Sequence, residues 1–143
     1  MDTKPIERYT VTEEGYHPFL IQDGWQVAQL NYMEAQDIQN IHRLDVHHHT
    51  DEVFVLLQGD AVLIGAVLHG DVPTFSVERM QPKITYNIPK DSWHNIAMRP
   101  GSEVLIVEKS NTHVSDFEFF PLTLEKRKEL RDLVEQALTE NIE

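Results

Sequence analysis

The chain has no cysteine among its 143 residues. That excludes disulfides, thiolate metal sites and cysteine nucleophiles together. Positive charge is also scarce: 12 Lys and Arg stand against 24 Asp and Glu, a formal net charge of −12. No basic stripe is available to offset phosphate, so nucleic acid is not an expected partner. The acidity serves solubility instead. No apolar run approaches the roughly 18–20 residues that span a bilayer. The opening Met1-Asp2-Thr3-Lys4-Pro5 lacks the apolar core of a signal peptide. These absences lead to the expectation of a cytoplasmic protein with no membrane partner. A hydrophobic content of 41% is ordinary for one globular domain with a real core.

Periodicity supplies the fold class. Residues 25–32 alternate apolar and polar, and Asp23-Gly24 before them is a strong hairpin signal. Residues 36–40 are polar and read as a loop. The apolar runs 53–57 and 61–68 are split by Gly59-Asp60, which reads as a second hairpin, and 69–73 form a turn cluster. Further strands are expected at 74–80, at 84–88 before Pro89, at 95–98 and at 104–108. Short strands at regular spacing indicate an all-β sandwich or barrel. The period then changes. Thr123 is a suitable N-cap, and Leu130, Leu133, Val134, Ala137 and Leu138 recur at three- and four-residue steps, one face of a helix. The expected division is an N-terminal arm or edge strand over 1–20, a β-barrel over 21–115, and a linker and helix over 116–143. The charges of 135–143 read as a solvated helix end.

The chemistry is concentrated in Asp45-Val46-His47-His48-His49-Thr50-Asp51-Glu52. Alternation along a strand sends His47 and His49 to one side. Two imidazoles with a carboxylate close by suit a divalent metal ion. A further imidazole, His94, follows in Pro89-Lys90-Asp91-Ser92-Trp93-His94-Asn95. Simpler readings exist for each. The triple His also reads as a solvated turn, Glu52 as a surface ion-pair partner of Arg43 or Lys90, and His94 as a half-buried ring bonded to a backbone carbonyl.

On these residues the chain resembles the cupins, small antiparallel β-barrels of the jelly-roll type. Their first motif is a His-any-His pair, a Glu a few residues on, and a Gly seven residues past that Glu. Their second is a Pro, a Gly two residues later, and a His three after that. Glu52 and Gly59 keep the first spacing; Pro89 and His94 keep the second. Asp91 replaces the second motif's Gly, and Asp also tolerates tight turns. The Gly expected ahead of the first His pair is absent, with Ile41 near its place. In the family the second His lies four or five residues before the Glu, which fits Asp45/His47 and Val46/His48; His47/His49 leaves a gap of only three and is the third competing register. Val46 cannot ligate. Asp45 would add a hard carboxylate oxygen; His49 would add a second imidazole but needs a tight bend before Glu52.

The resemblance implies an all-β antiparallel jelly-roll (cupin) barrel with a C-terminal amphipathic α-helix. It implies a divalent transition metal (Zn, Fe, Mn, Ni or Cu) held by His47, His49, Glu52 and His94, with Asp45 contending for the place of His49. It further implies a homodimer acting on a small polar metabolite. Cupins include dioxygenases, isomerases, epimerases, decarboxylases and plain sugar- or effector-binding domains, and the fold does not choose among them. A non-catalytic binding module without metal is therefore the alternative. Tyr86 and Trp93 are placed as pocket-lining residues by position alone. Phe117-Glu118-Phe119-Phe120 reads as an anchor between barrel and helix. His17, His42, His69 and His113 receive no role.

Overall fold

The computed structural model describes residues 5–140. Its strands form two five-stranded sheets. The first orders β1 (Gly15–Gln22), β2 (Trp25–Asn31), β9 (Glu103–Glu108), β4 (Glu52–Gln58) and β7 (Thr85–Ile88). The second orders β10 (Glu118–Pro121), β3 (Arg43–Val46), β8 (Trp93–Met98), β5 (Ala61–His69) and β6 (Val72–Arg79). Every ladder is antiparallel. The chain changes sheet at each connection except the β1–β2 and β5–β6 hairpins. That is the jelly-roll path expected from the sequence. Among the described residues, no helix is long and apolar enough to cross a membrane.

Period-two alternation sorts the side chains into two cores. Ala28, Leu30, Phe54, Leu56, Ala61, Leu63, Ile96, Met98, Val104 and Ile106 meet between the sheets. On β5 the alternate residues Val62 and Ile64 face the other way and, with Ala97 of β8, lie under the C-terminal helix α2 (Leu124–Thr139). Leu130, Val134 and Leu138 of that helix are its buried stripe. The Thr123 side chain accepts a hydrogen bond from the Lys126 amide at 3.2 Å, the expected N-cap.

Three readings change. Gly59-Asp60 joins strands of different sheets, so it is a corner and not a hairpin. Gly59 has φ +87°, and a Cβ there would stand 2.6 Å from Ser102 Cα. Ser102 Oγ in turn donates to the Asp60 carbonyl at 2.8 Å and accepts from its amide at 2.9 Å, which fixes the corner. The true hairpin turns at Gly70, between β5 and β6. Residues Glu34–Gln36 form one turn of 3-10 helix where a loop was expected to begin. The expected linker after residue 116 holds a strand, β10, which pairs with β3 behind the one-turn helix α1 (Thr112–Ser115). Of the solvated helix end, residues 141–143 lie outside the described residues.

Candidate metal centre

The inner face of each central strand is apolar along most of its length and polar at one end. On β4 Glu52 precedes Phe54 and Leu56; on β8 His94 precedes Ile96 and Met98. On β9, running the other way, Glu108 follows Val104 and Ile106, and its ladder partner on β2 is Gln26. On β3 Asp45 stands opposite His94. The polar ends therefore gather at one end of the space between the sheets, around a cavity of about 300 Å³.

His47, Glu52 and His94 converge there, and one ligand atom from each lies within 4.8 Å of the others. His47 Nε2 is 2.8 Å from Glu52 Oε2, and His94 Nε2 is 3.8 Å from the same oxygen. The opposite ring nitrogens are committed to backbone. His47 Nδ1 donates to the Asp116 carbonyl at 2.6 Å, and His94 Nδ1 donates to the Ser92 carbonyl at 2.9 Å. A carbonyl can only accept, so both Nδ1 atoms carry hydrogen and both Nε2 atoms face the cavity. This is the tautomer and orientation that backbone partners impose on metal-ligating imidazoles. The residues present thus fit a divalent transition metal: two nitrogens, one carboxylate, and room for further ligands.

Burial sets the electrostatics. Glu52 is 7% exposed and His94 4% exposed. Burial opposes the charge of Glu52, but the two imidazoles beside it outweigh burial and hold the carboxyl well below its usual range. Burial likewise opposes the imidazolium of His47, yet the Glu52 carboxylate pushes it up to about 9. His94 is raised by the same contest. Burial and the charge of Glu52 push Glu108 up to about 8. Glu108 Oε1 accepts from the Tyr16 hydroxyl at 2.6 Å and from the Gln26 amide at 3.2 Å. Its Oε2 is buried with no hydrogen-bond partner among the described residues, as is Asp45 Oδ1. Burial raises Asp45 above its ordinary value too.

The structure does not bring His49 to this point. Strand β3 ends at Val46, and the alternation that would pair His47 with His49 ends with it. The chain turns instead, with the His48 and His49 amides donating to the two oxygens of Asp116 at 2.9 Å each. His49 is left exposed. His48 is also exposed and bonds Asp91 Oδ1 at 2.7 Å through Nδ1 and Glu118 through Nε2. Asp45 lines the cavity beside His47 but stands outside the three-residue group. Asp91 has φ +67°, the left-handed conformation a Gly would take, and its amide donates to the His47 carbonyl at 2.7 Å.

Other assignments move. Arg43 pairs with Asp45 at 3.4 Å, not with Glu52. Tyr86 packs on the inner core and Trp93 on the core under the helix; neither lines the cavity. The aromatic box divides by alternation. Phe120 joins the core under the helix, whereas Phe117 and Phe119 line the cavity. Glu108, Tyr16, Gln36, Arg43 and His113 line it as well. Glu108 was legible: strand alternation from Val104 and Ile106 places it on the inner face. His113 and Tyr16 carry no such signal, because tertiary pairing alone brings them there.

No family model matches the sequence, and no curated protein matches it. Solved structures do. A protein from Bacillus halodurans aligns over 73% of this chain and 76% of its own, with 18% identity and a TM-score of 0.56. The capsular polysaccharide assembling protein CapF from Staphylococcus aureus aligns over 79% of this chain and 34% of its own, with 17% identity and a TM-score of 0.53. A cupin-2 domain containing protein from Shewanella frigidimarina aligns over 69% and 84%, with 16% identity and a TM-score of 0.46. At these identities the likeness is one of fold. With its two motifs meeting at one end of an antiparallel jelly roll, this chain is a small cupin-fold domain.

Proposed function

We propose that His47, Glu52 and His94 hold one divalent transition-metal ion, and that the cavity beside them takes a small polar metabolite. One observation carries this reading: a half-buried and a buried imidazole, each with Nδ1 on a backbone carbonyl, turn Nε2 toward one buried carboxylate. A bound ion would supply Lewis acidity and acidify water at its open positions. The protein's own groups do the rest. The inner core closes one end of the site and limits water. Glu108, its Oε1 already accepting from Tyr16 and Gln26, presents Oε2 to the cavity and can hydrogen-bond a ligand there. Asp45 Oδ1 faces Arg43 Nε at 3.4 Å without a hydrogen bond, and can accept from a ligand hydroxyl or join the ion.

A metal-free binding module is the second reading, and it too has an observation behind it. At 2.8 Å the His47–Glu52 pair is complete as an ion pair without any metal. Titration of tag-free protein with Mn²⁺, Fe²⁺, Zn²⁺ and Ni²⁺ separates the two. The metal reading expects one ion per chain for at least one of these, released by chelator and lost in His94→Ala. Failure of all four to bind would leave the metal-free reading.

A further inference from the structure

We propose that the ligand is a small carboxylate with a flat apolar part, its carboxylate taken by Arg43 and its flat part by Phe117 and Phe119. The inference deepens the metal reading, on which it rests for the ligand's inner end.

Arg43 is the one Lys or Arg among the residues lining the cavity. Its side chain is 54% exposed at the mouth. Nε lies 3.4 Å from Asp45 Oδ1, and the guanidinium carbon sits 3.6 Å over the Phe119 ring. The two Nη groups make no hydrogen bond or ion pair among the described residues. A guanidinium held flat by an aromatic ring, with its outer fork uncommitted, matches a carboxylate in two-point geometry.

The aromatic pair gives the second half. In the β10–β3 ladder Phe119 is opposite Asp45, so it stands on the cavity face, and Phe117, just before the strand, lines the same cavity. Their centroids are 5.2 Å apart and the rings are tilted by 32°. Phe117 is 42% exposed and Phe119 45%, although the neighbouring Phe120 is packed away. Large apolar rings left open at the mouth of a polar cavity suit a ligand that covers them. An amine would suit Asp45, Glu52 and Glu108, but Arg43 already occupies a face of Phe119. An ion at the histidines, together with Arg43, at least offsets the charges of Asp45 and Glu52, so an anion at the mouth meets no net repulsion. About 300 Å³ is at the low end for ligand pockets, which keeps the ligand small.

Benzoate, benzamide and benzylamine, titrated into Mn²⁺-treated and metal-free protein, test this. Benzoate should bind at least ten-fold more tightly than either comparator. Arg43→Gln should abolish that preference, and Arg43→Lys should retain part of it and replace the Gln variant if that one melts abnormally. Phe117→Ser, which leaves the Phe119 ring under Arg43 in place, should weaken benzoate and benzamide by the same factor. Wild-type protein that prefers benzylamine, discriminates among none of the three, or binds none overturns the proposal; so does an Arg43 variant that keeps the full preference. Mn²⁺ titration without benzoate judges the metal reading separately. If Mn²⁺ does not bind while the Arg43-dependent preference persists, the metal reading falls and the carboxylate site stands. If Mn²⁺ binds and the preference ignores Arg43, the reverse holds.

Discussion

At the scale of single residues, position along one short segment decides function class for three adjacent histidines. His47 has its outer nitrogen on a backbone carbonyl and its inner one on Glu52, His48 braces Asp91 and Glu118, and His49 is left exposed. His47→Ala should therefore lower metal affinity at least about 100-fold, beyond the 10–100-fold typical of supporting partners. His49→Ala should change it less than about two-fold on the same scale. Calorimetric titration with the best-binding ion checks both. The metal-free protein should also show a defined pH dependence. His47 is raised to about 9 and Glu108 to about 8, so the folded state binds more protons than the unfolded state and stability falls as pH rises. The contribution of His47 is complete below its ordinary value of about 6.5 and gone above about 9. That of Glu108 is complete below 4.5 and gone above about 8. Melting temperature without metal should fall steadily from about pH 6 to 9.5, and Glu108→Gln should flatten the part below about pH 8. A curve that is level or rises would contradict the charge arrangement described.

At the scale of elements, the corner between β4 and β5 shows why a family glycine is needed. Gly59 combines a positive φ with Ser102 at 2.6 Å, so Gly59→Ala must strain backbone and displace a buried neighbour. A loss of about 2–4 kcal/mol is expected. At Gly24, with φ +90°, a side-chain Cβ would meet nothing within 4 Å, so Gly24→Ala should cost only about 1–2 kcal/mol. Urea unfolding of the pair measures the difference. The strands, the N-cap at Thr123 and the stripe of α2 were legible because each is a local pattern. The Gly59 corner was not, since Gly-Asp between two apolar runs looks alike whether the chain returns beside itself or crosses to the facing sheet. Strand β10 was hidden for a related reason. Four residues ending in Pro121 carry too little alternation, and only pairing with β3 makes them a strand. Its concealment also hid Phe117 and Phe119 from the cavity. The candidate cluster followed the same rule: spacing pointed to Glu52 and His94, but the place of His49 depended on where β3 stops.

At the scale of the whole molecule, the inner sheet faces carry a division of labour along their length. Phe54, Leu56, Leu63, Ile96, Met98 and Val104 fill one end, and Glu52, His94 and Glu108 occupy the other. Two imidazoles and two carboxyls are thus gathered at one end of the core, with no hydrogen bond among the described residues to Glu108 Oε2. An ion that binds only the assembled site must stabilise it by linkage, by about 2.7 kcal/mol at one hundred times the dissociation constant. The most direct measurement is a crystal grown with Mn²⁺ or Zn²⁺ and an anomalous-scattering map across the metal edge. The account predicts one peak per chain at coordination distance, about 2.0–2.2 Å, from His47 Nε2, His94 Nε2 and a Glu52 oxygen. A map with no peak there, or with the ion held by exposed residues such as His48 and His49 instead, would contradict it.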